Sequence, residues 1–207
     1  MENIFRMSLF MPPISPIRDK ISGKNLRNAT LTTLRTVDVN EVHKLITSNA
    51  KLAALTHEVR NAALLGDDNA CRLLKQTLPY VTPCGVFTRR RSDCIEEASG
   101  LVVVDIDHLE STEEAEKLRQ LLFDDPYLCP ALVFVSPTGQ GVKAFVPCAI
   151  GQSATDGIRW AMNYVHCMYD TDHQQSGKGV DTSGKDLVRS CFLCHDPGAL
   201  IRITNGE

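Results

Sequence analysis

No apolar run in this sequence approaches the roughly 20 residues that a membrane-spanning helix needs. The opening MENIFRMSLFMPP does not read as a secretory leader, because an acid stands at position 2 and two prolines cut the short apolar stretch. The eight cysteines have no framework spacing, which argues against a disulfide-stapled scaffold and for reduced thiols in a cytoplasmic protein. Bulk positive charge is missing too: the formal net charge is −3, so the chain is not a polycation that coats nucleic acid. Internal repeats and low-complexity tracts are also absent, which excludes a solenoid array.

What is present is the composition of an ordinary globular protein, 43% hydrophobic and 23% charged over 207 residues. That length permits one sizeable domain or two small subdomains with a real core. Charge is uneven. Residues 93–126 hold eleven acids against Lys117 and Arg119, whereas residues 11–48 carry six Lys/Arg against three acids. Arg89, Arg90 and Arg91 adjoin, a local patch that suits a nucleic-acid backbone or is simply a solvated basic loop.

Residues 1–35 are basic and rich in Pro, Ser, Thr and Asn, and read as an extended arm. Residues 36–99 read as a helical subdomain. Its first helix starts near Asp38 with Glu41 in capping position, a second runs near 51–65, and a third follows Gly66-Asp67 and stops at Pro79. YVTPCGVF (80–87) is a short strand or an irregular apolar segment. From residue 100 the pattern is clearer. Strand 101–107 is followed by a helix capped by Ser111 and Glu114, then strands 131–136 and 142–147 around the turn PTGQG. A helix over 154–170 and a last strand over 187–194 complete the order β-α-β-β-α-β, the split βαβ or ferredoxin-like unit. The two helices would pack on one sheet face, and residues 1–99 would cover part of the other.

Asp105 and Asp107, in GLVVVDIDHL, are two apart on a strand and so share a face, while Val102, Val104 and Ile106 take the opposite one. Adjacent carboxylates raise each other's pKa unless a cation lies between them. Hard ions such as Mg²⁺ or Mn²⁺ bind to one or two carboxylates plus substrate phosphates. The plainer reading is the polar edge of a buried strand. In SPTGQGVK, Gly139 and Gly141 would form a turn that admits an anion, with the Ser136 hydroxyl near it and Lys143 beside the aspartates; the plainer reading is an ordinary glycine hairpin with a solvated lysine. In GVDTSGKDLVRSCF, Asp181 would complete a carboxylate cluster, with Asp186 as its competitor; Arg189 suits a phosphate or a structural ion pair. Cys191-x-x-Cys194 has no second pair, which argues against structural zinc.

Taken together, VVVDID, SPTGQGVK and the later VD before an arginine-bearing strand resemble the catalytic pattern of archaeo-eukaryotic-type primases and primase-polymerases. More narrowly, LPYVTPCGVFTRR, SGLVVVDIDHL, DDPYLCPALVFVSPTGQGVK and DTSGKDLVRSCFLCHDPG resemble the VirE N-terminal-domain family of bacterial mobile elements, over about residues 70–198. The resemblance implies an α+β protein whose RRM- or ferredoxin-like βαββαβ catalytic subdomain spans 100–207. It implies metal-dependent nucleotidyl transfer from a nucleoside triphosphate on a DNA or RNA template, with a helicase-like region as partner. On that resemblance Asp105, Asp107 and Asp181 hold Mg²⁺ or Mn²⁺; Ser136, Gly139, Gly141, Lys143 and Arg189 hold nucleotide; and Arg89, Arg90 and Arg91 meet nucleic acid. Polymerising members usually have histidine where this chain has Lys143.

Two rivals follow from the same residues. A haloacid-dehalogenase-like phosphatase would use Asp105 as nucleophile and Asp107 as acid, but it has Thr or Val where Leu109 stands and needs a parallel sheet. A non-catalytic nucleic-acid-binding accessory domain would keep the fold with a degenerate site. A rolling-circle nickase needs a His-hydrophobic-His motif, which is absent.

Overall fold

The structure is a computed structural model that describes residues 5–12, 14, 35–169, 179–180 and 186–202. The described chain is mixed α+β, with five α-helices and sheets in which every strand pairing is antiparallel.

The N-terminal half begins with β1 (Arg6–Phe10) and β2 (Arg35–Asp38), paired with Arg6 opposite Asp38. Asp38 then starts α1 (Val39–Ser48): its carboxylate accepts the Glu41 N–H at 2.8 Å, and the Glu41 carboxylate accepts the Asp38 N–H at 3.1 Å. This is the reciprocal cap that the spacing predicts. Asn49 caps α2 (Ala50–Leu64) and Asp67 caps α3 (Asp68–Lys75). YVTPCGVF resolves into two strands, β3 (Tyr80–Thr82) and β4 (Gly85–Phe87), and β5 (Ile95–Ala98) pairs with β4.

The C-terminal half follows the expected alternation closely. β6 (Leu101–Asp107) leads to α4 (Thr112–Asp124), then β7 (Leu132–Val135), β8 (Val142–Pro147), α5 (Ala154–Tyr169) and β9 (Gly179–Val180). β10 (Cys191–Phe192) and β11 (Leu200–Ile201) end it. Ser111 Oγ accepts the Glu114 N–H at 3.2 Å, while the Glu114 carboxylate accepts the Glu110 N–H at 2.7 Å, one residue before the expected partner.

The main sheet runs β11-β7-β8-β6-β9, and the second runs β10-β3-β1-β2. One face of the main sheet buries Val102, Val104, Ile106, Ala144 and Val146 against Ala115 and Leu122 of α4 and Ile158 and Val165 of α5. The other face, with Leu101, Val103, Leu132, Phe134 and Phe145, packs under β1, β2, α1 and α2. Each fully buried aliphatic or Phe side chain adds roughly 1.5–3 kcal/mol, so both faces are energetically committed to layers.

Two expectations are corrected. Arg6–Phe10, read as part of the arm, is a central strand of the second sheet, with Met7, Leu9 and Phe10 buried; the polar, proline-bearing residues after it masked a short apolar strand. The strand expected over 187–194 shrinks to β10 and pairs with β3, not β6; the neighbour of β6 is β9. Cys191, Leu193 and Cys194 are all buried. A run buried all round carries no sign of which sheet it joins. Residues 1–4, 13 and 15–34 of the arm lie outside the described residues.

Candidate functional site

Asp105 sits on β6 directly opposite Lys143 on β8. Lys143 Nζ donates to Asp105 Oδ2 in a buried ion pair, and Arg189 Nη2 lies 3.5 Å from the same oxygen. Burial opposes the lysine's charge, yet Asp105, Cys191 and Asp107 around it, together with the hydrogen bond, hold its pKa above the ordinary lysine range. Asp105 Oδ1 is also buried and has no hydrogen-bond partner among the described residues. One carboxylate oxygen is therefore taken up and the other is left desolvated, an expensive state in a low dielectric.

Asp107 shares the face of Asp105 but stands at the rim, half-buried. Burial first, and then the Asp105 charge, push its carboxyl above the usual carboxylate range, against Lys143, Lys75 and His108. The Ser136–Gly141 turn closes on it. The Ser136 N–H donates to the Gly141 carbonyl at 2.8 Å, and the Gly139 N–H to the Ser136 carbonyl at 2.9 Å. Gly139 has φ +82°, the left-handed region that favours glycine. Gly141 approaches β6 so closely that a Cβ there would lie 2.4 Å from the Ile106 carbonyl oxygen and 3.3 Å from Asp107 Oδ1. The Ser136 and Gly139 amides are thus used to close the turn itself. Ser136 is buried, with its Oγ 3.1 Å from Thr138 Oγ1.

The sheet face carrying Asp105, of which residues 1–99 were expected to cover only part, is not open beside Lys143. It is roofed there, and Lys143 is 6% exposed. The access that remains is at the end of β6. There a cavity of about 250 Å³ lies between α3 and the turn, lined among others by Arg72, Lys75, Asp107, His108, Thr138 and Gln140. His108 itself takes a left-handed φ of 61° as the chain leaves the strand, an uncommon conformation for a residue other than glycine.

The other expected site residues separate. Asp181 lies outside the described residues. Asp186 is exposed, and no group of three His, Cys, Asp or Glu is arranged to hold a metal among the described residues. The arginine trio has three different settings. Arg89 is exposed; Arg90 donates to Ser190 Oγ at 2.6 Å and to the Ile14 carbonyl at 3.0 Å; Arg91 pairs with Asp93 at 2.6 Å. Cys191 and Cys194 are buried free thiols, each pushed up to about 12 by burial. Sequence reasoning missed Arg72, Lys75 and Arg60. Arg72 and Lys75 are three apart and share a helix face, but nothing local connects that face to β6. Arg60 lies against the Gly139 turn and donates to the His195 carbonyl at 3.2 Å.

An antiparallel sheet layered between helices and a second small sheet, with paired carboxylates at the end of an inner strand, defines an α+β domain with a polar site at one sheet end. The chain belongs to the family described as BT4734-like, N-terminal domain, whose model matches residues 73–200, from the end of α3 through the start of β11. Comparison with curated proteins and with solved structures finds no match. The family match says nothing of the VirE N-terminal-domain family or of primases. No helix among the described residues is long and apolar enough to cross a membrane.

Proposed function

We propose that the chain is a primase-polymerase-like domain, related to the VirE N-terminal-domain family, that binds a nucleoside triphosphate with Mg²⁺ or Mn²⁺ and transfers nucleotides on nucleic acid. One observation carries the reading: Asp105 and Asp107 share a face of β6, and Asp105 Oδ1 is buried without a partner among the described residues. Two hard oxygen donors with an orphaned lone pair fit a hard divalent ion that completes its shell with substrate phosphates. The succession β6-α4-β7-β8-α5-β9, with β6 between β8 and β9, supports the RRM- or ferredoxin-like form of the fold.

On this reading Asp105 and Asp107 hold the ion, and Asp181 is the proposed third acid. When bound, the ion supplies charge neutralisation at the transferring phosphate. Lys143 and Arg189 fix the Asp105 carboxylate from its Oδ2 side, a positioning role. Ser136, Gly139 and Gly141 shape the wall beside Asp107. A 3′-hydroxyl oxygen bonds to the α-phosphorus, the bond to the bridging oxygen breaks, and pyrophosphate leaves with the hydroxyl proton passing to solvent. Arg89, exposed on its loop, is the member of the trio that we assign to a template backbone. A DNA or RNA template, a helicase-like region and a cytoplasmic setting belong to the same proposal.

The test is primer synthesis and extension with Mg²⁺ or Mn²⁺. The Asp105→Asn, Asp107→Asn double variant loses it; retained activity overturns the reading. A second reading, a nucleic-acid-binding accessory domain, is favoured by the buried Lys143–Asp105 pair, which takes this lysine away from any phosphate. Nucleic-acid binding without nucleotide or metal binding would support it. The phosphatase alternative finds no support in a sheet whose pairings are all antiparallel.

A further inference from the structure

The residue that the sequence assigns to phosphate is not available for it. Lys143 is buried and its ammonium is bound by Asp105. A phosphate chain arriving beside Asp107 needs other cations, and the cavity there supplies two. Arg72 and Lys75 come from the last turn of α3 and line the same space as Asp107, Thr138 and Gln140. Neither makes an ion pair with a described residue at contact distance, yet Lys75 is close enough for its charge to act on the Asp107 carboxylate. Arg72 is exposed and Lys75 half-buried, and both line this partly open polar pocket.

Size and charge narrow the ligand. About 250 Å³ is below the roughly 300–1,000 Å³ of pockets that enclose a whole drug-sized molecule. The cavity therefore suits the phosphate end of a nucleotide, with sugar and base outside. Asp68 and Asp107 also line it and balance the two cations. A bare anion would meet two carboxylates, whereas a polyphosphate carrying a divalent ion meets carboxylates through the ion and cations through its oxygens.

We propose that Arg72 and Lys75 of α3 grip the divalent-ion-bound polyphosphate of the substrate in the cavity beside Asp107, the role the sequence pattern gives to Lys143. This rests on the nucleotidyl-transfer reading for its substrate, but the anion site is measurable without turnover. The helix α3 then acts as a wall that senses the phosphate chain, and the Ser136–Gly141 turn as the wall facing it.

The experiment is calorimetric titration of inorganic tripolyphosphate, with Mg²⁺ present, into the whole chain at fixed ionic strength. The unaltered protein binds. Arg72→Ala and Lys75→Ala each weaken binding about tenfold, the size of one lost charged hydrogen bond, and the pair together lose more. Lys75→Arg retains most of the affinity, and Lys117→Ala on α4 leaves it unchanged. Both altered positions lie on a helix surface, and a circular-dichroism melt matching the unaltered protein excludes unfolding as the cause. Unchanged affinity in the double alanine variant overturns the grip. If primer synthesis still depends on Asp105 and Asp107, the transfer reading survives that result. Tripolyphosphate binding that needs Arg72 and Lys75 in a protein that makes no primer keeps the cavity and removes the transfer reading. No tripolyphosphate binding by the unaltered protein overturns the cavity proposal outright.

Discussion

Asp105 and Lys143 are direct cross-strand partners on β6 and β8, and their side chains meet in an ion pair buried beneath the N-terminal layer. A buried pair of this kind is costly to form and more costly to break. It holds one oxygen of the candidate metal carboxylate while leaving the other bare.

Lys143→Met therefore strands the Asp105 charge, with Arg189 at 3.5 Å as its remaining neighbour. The expected loss is about 3–5 kcal/mol in urea unfolding. Adding Asp105→Asn recovers part of it, so the double-mutant cycle shows strong coupling. Because the folded protein holds the Lys143 pKa above its unfolded value, this contribution is fully present below about pH 10 and fades only as pH rises through the folded value. Additive single losses would show that the pair does not act as a unit.

Asp107 has the opposite sign. Burial and the Asp105 charge raise its pKa on folding, so its contribution to stability is present below about pH 4 and is lost as pH rises through the raised folded value. At pH 7, above the unfolded value, the raised folded pKa costs stability. Asp107→Asn should unfold at higher urea than the unaltered protein at pH 7, and the difference should shrink on acidification below about pH 4. Equal midpoints at pH 7 would count against this.

Gly141→Ala tests the packing of the turn. Its Cβ would lie 2.4 Å from the Ile106 carbonyl oxygen and 2.9 Å from Ser136 Oγ. The Ile106 carbonyl is backbone of a paired strand and cannot swing aside, so the turn must lift from the end of β6. The expected cost is about 1–3 kcal/mol of stability, with weaker tripolyphosphate binding, read by urea unfolding and calorimetry.

The cysteines separate by burial. Cys129 and Cys167 are exposed, whereas Cys191 and Cys194 are buried and held as thiols up to about 12. Alkylation of the native protein followed by peptide mass analysis should label Cys129 and Cys167 first. Cys191 and Cys194 should react only after denaturation, because the thiolate is the nucleophile. Rapid native labelling of Cys191 would contradict its placement in the core.

Much was legible locally. The caps at Asp38 and Ser111, the bounds of β6 and β8, and the face shared by Asp105 and Asp107 follow from side-chain chemistry within a few residues and from the period of two along a strand. The amino-acid sequence by itself thus determined the succession from β6 through α5 and the carboxylate pair, but not the last strand, which is Gly179–Val180 where 187–194 was expected. It could not determine that Arg6–Phe10 is a buried strand, that Cys191–Phe192 joins β3, or that α3 brings Arg72 and Lys75 to Asp107. These depend on which distant surfaces bury one another, and burial is non-directional: periodicity marks which face is buried, not which partner covers it. Only the tertiary structure decided that Lys143 is spent on Asp105, because roofing the sheet removed the water that would otherwise have held their charges apart.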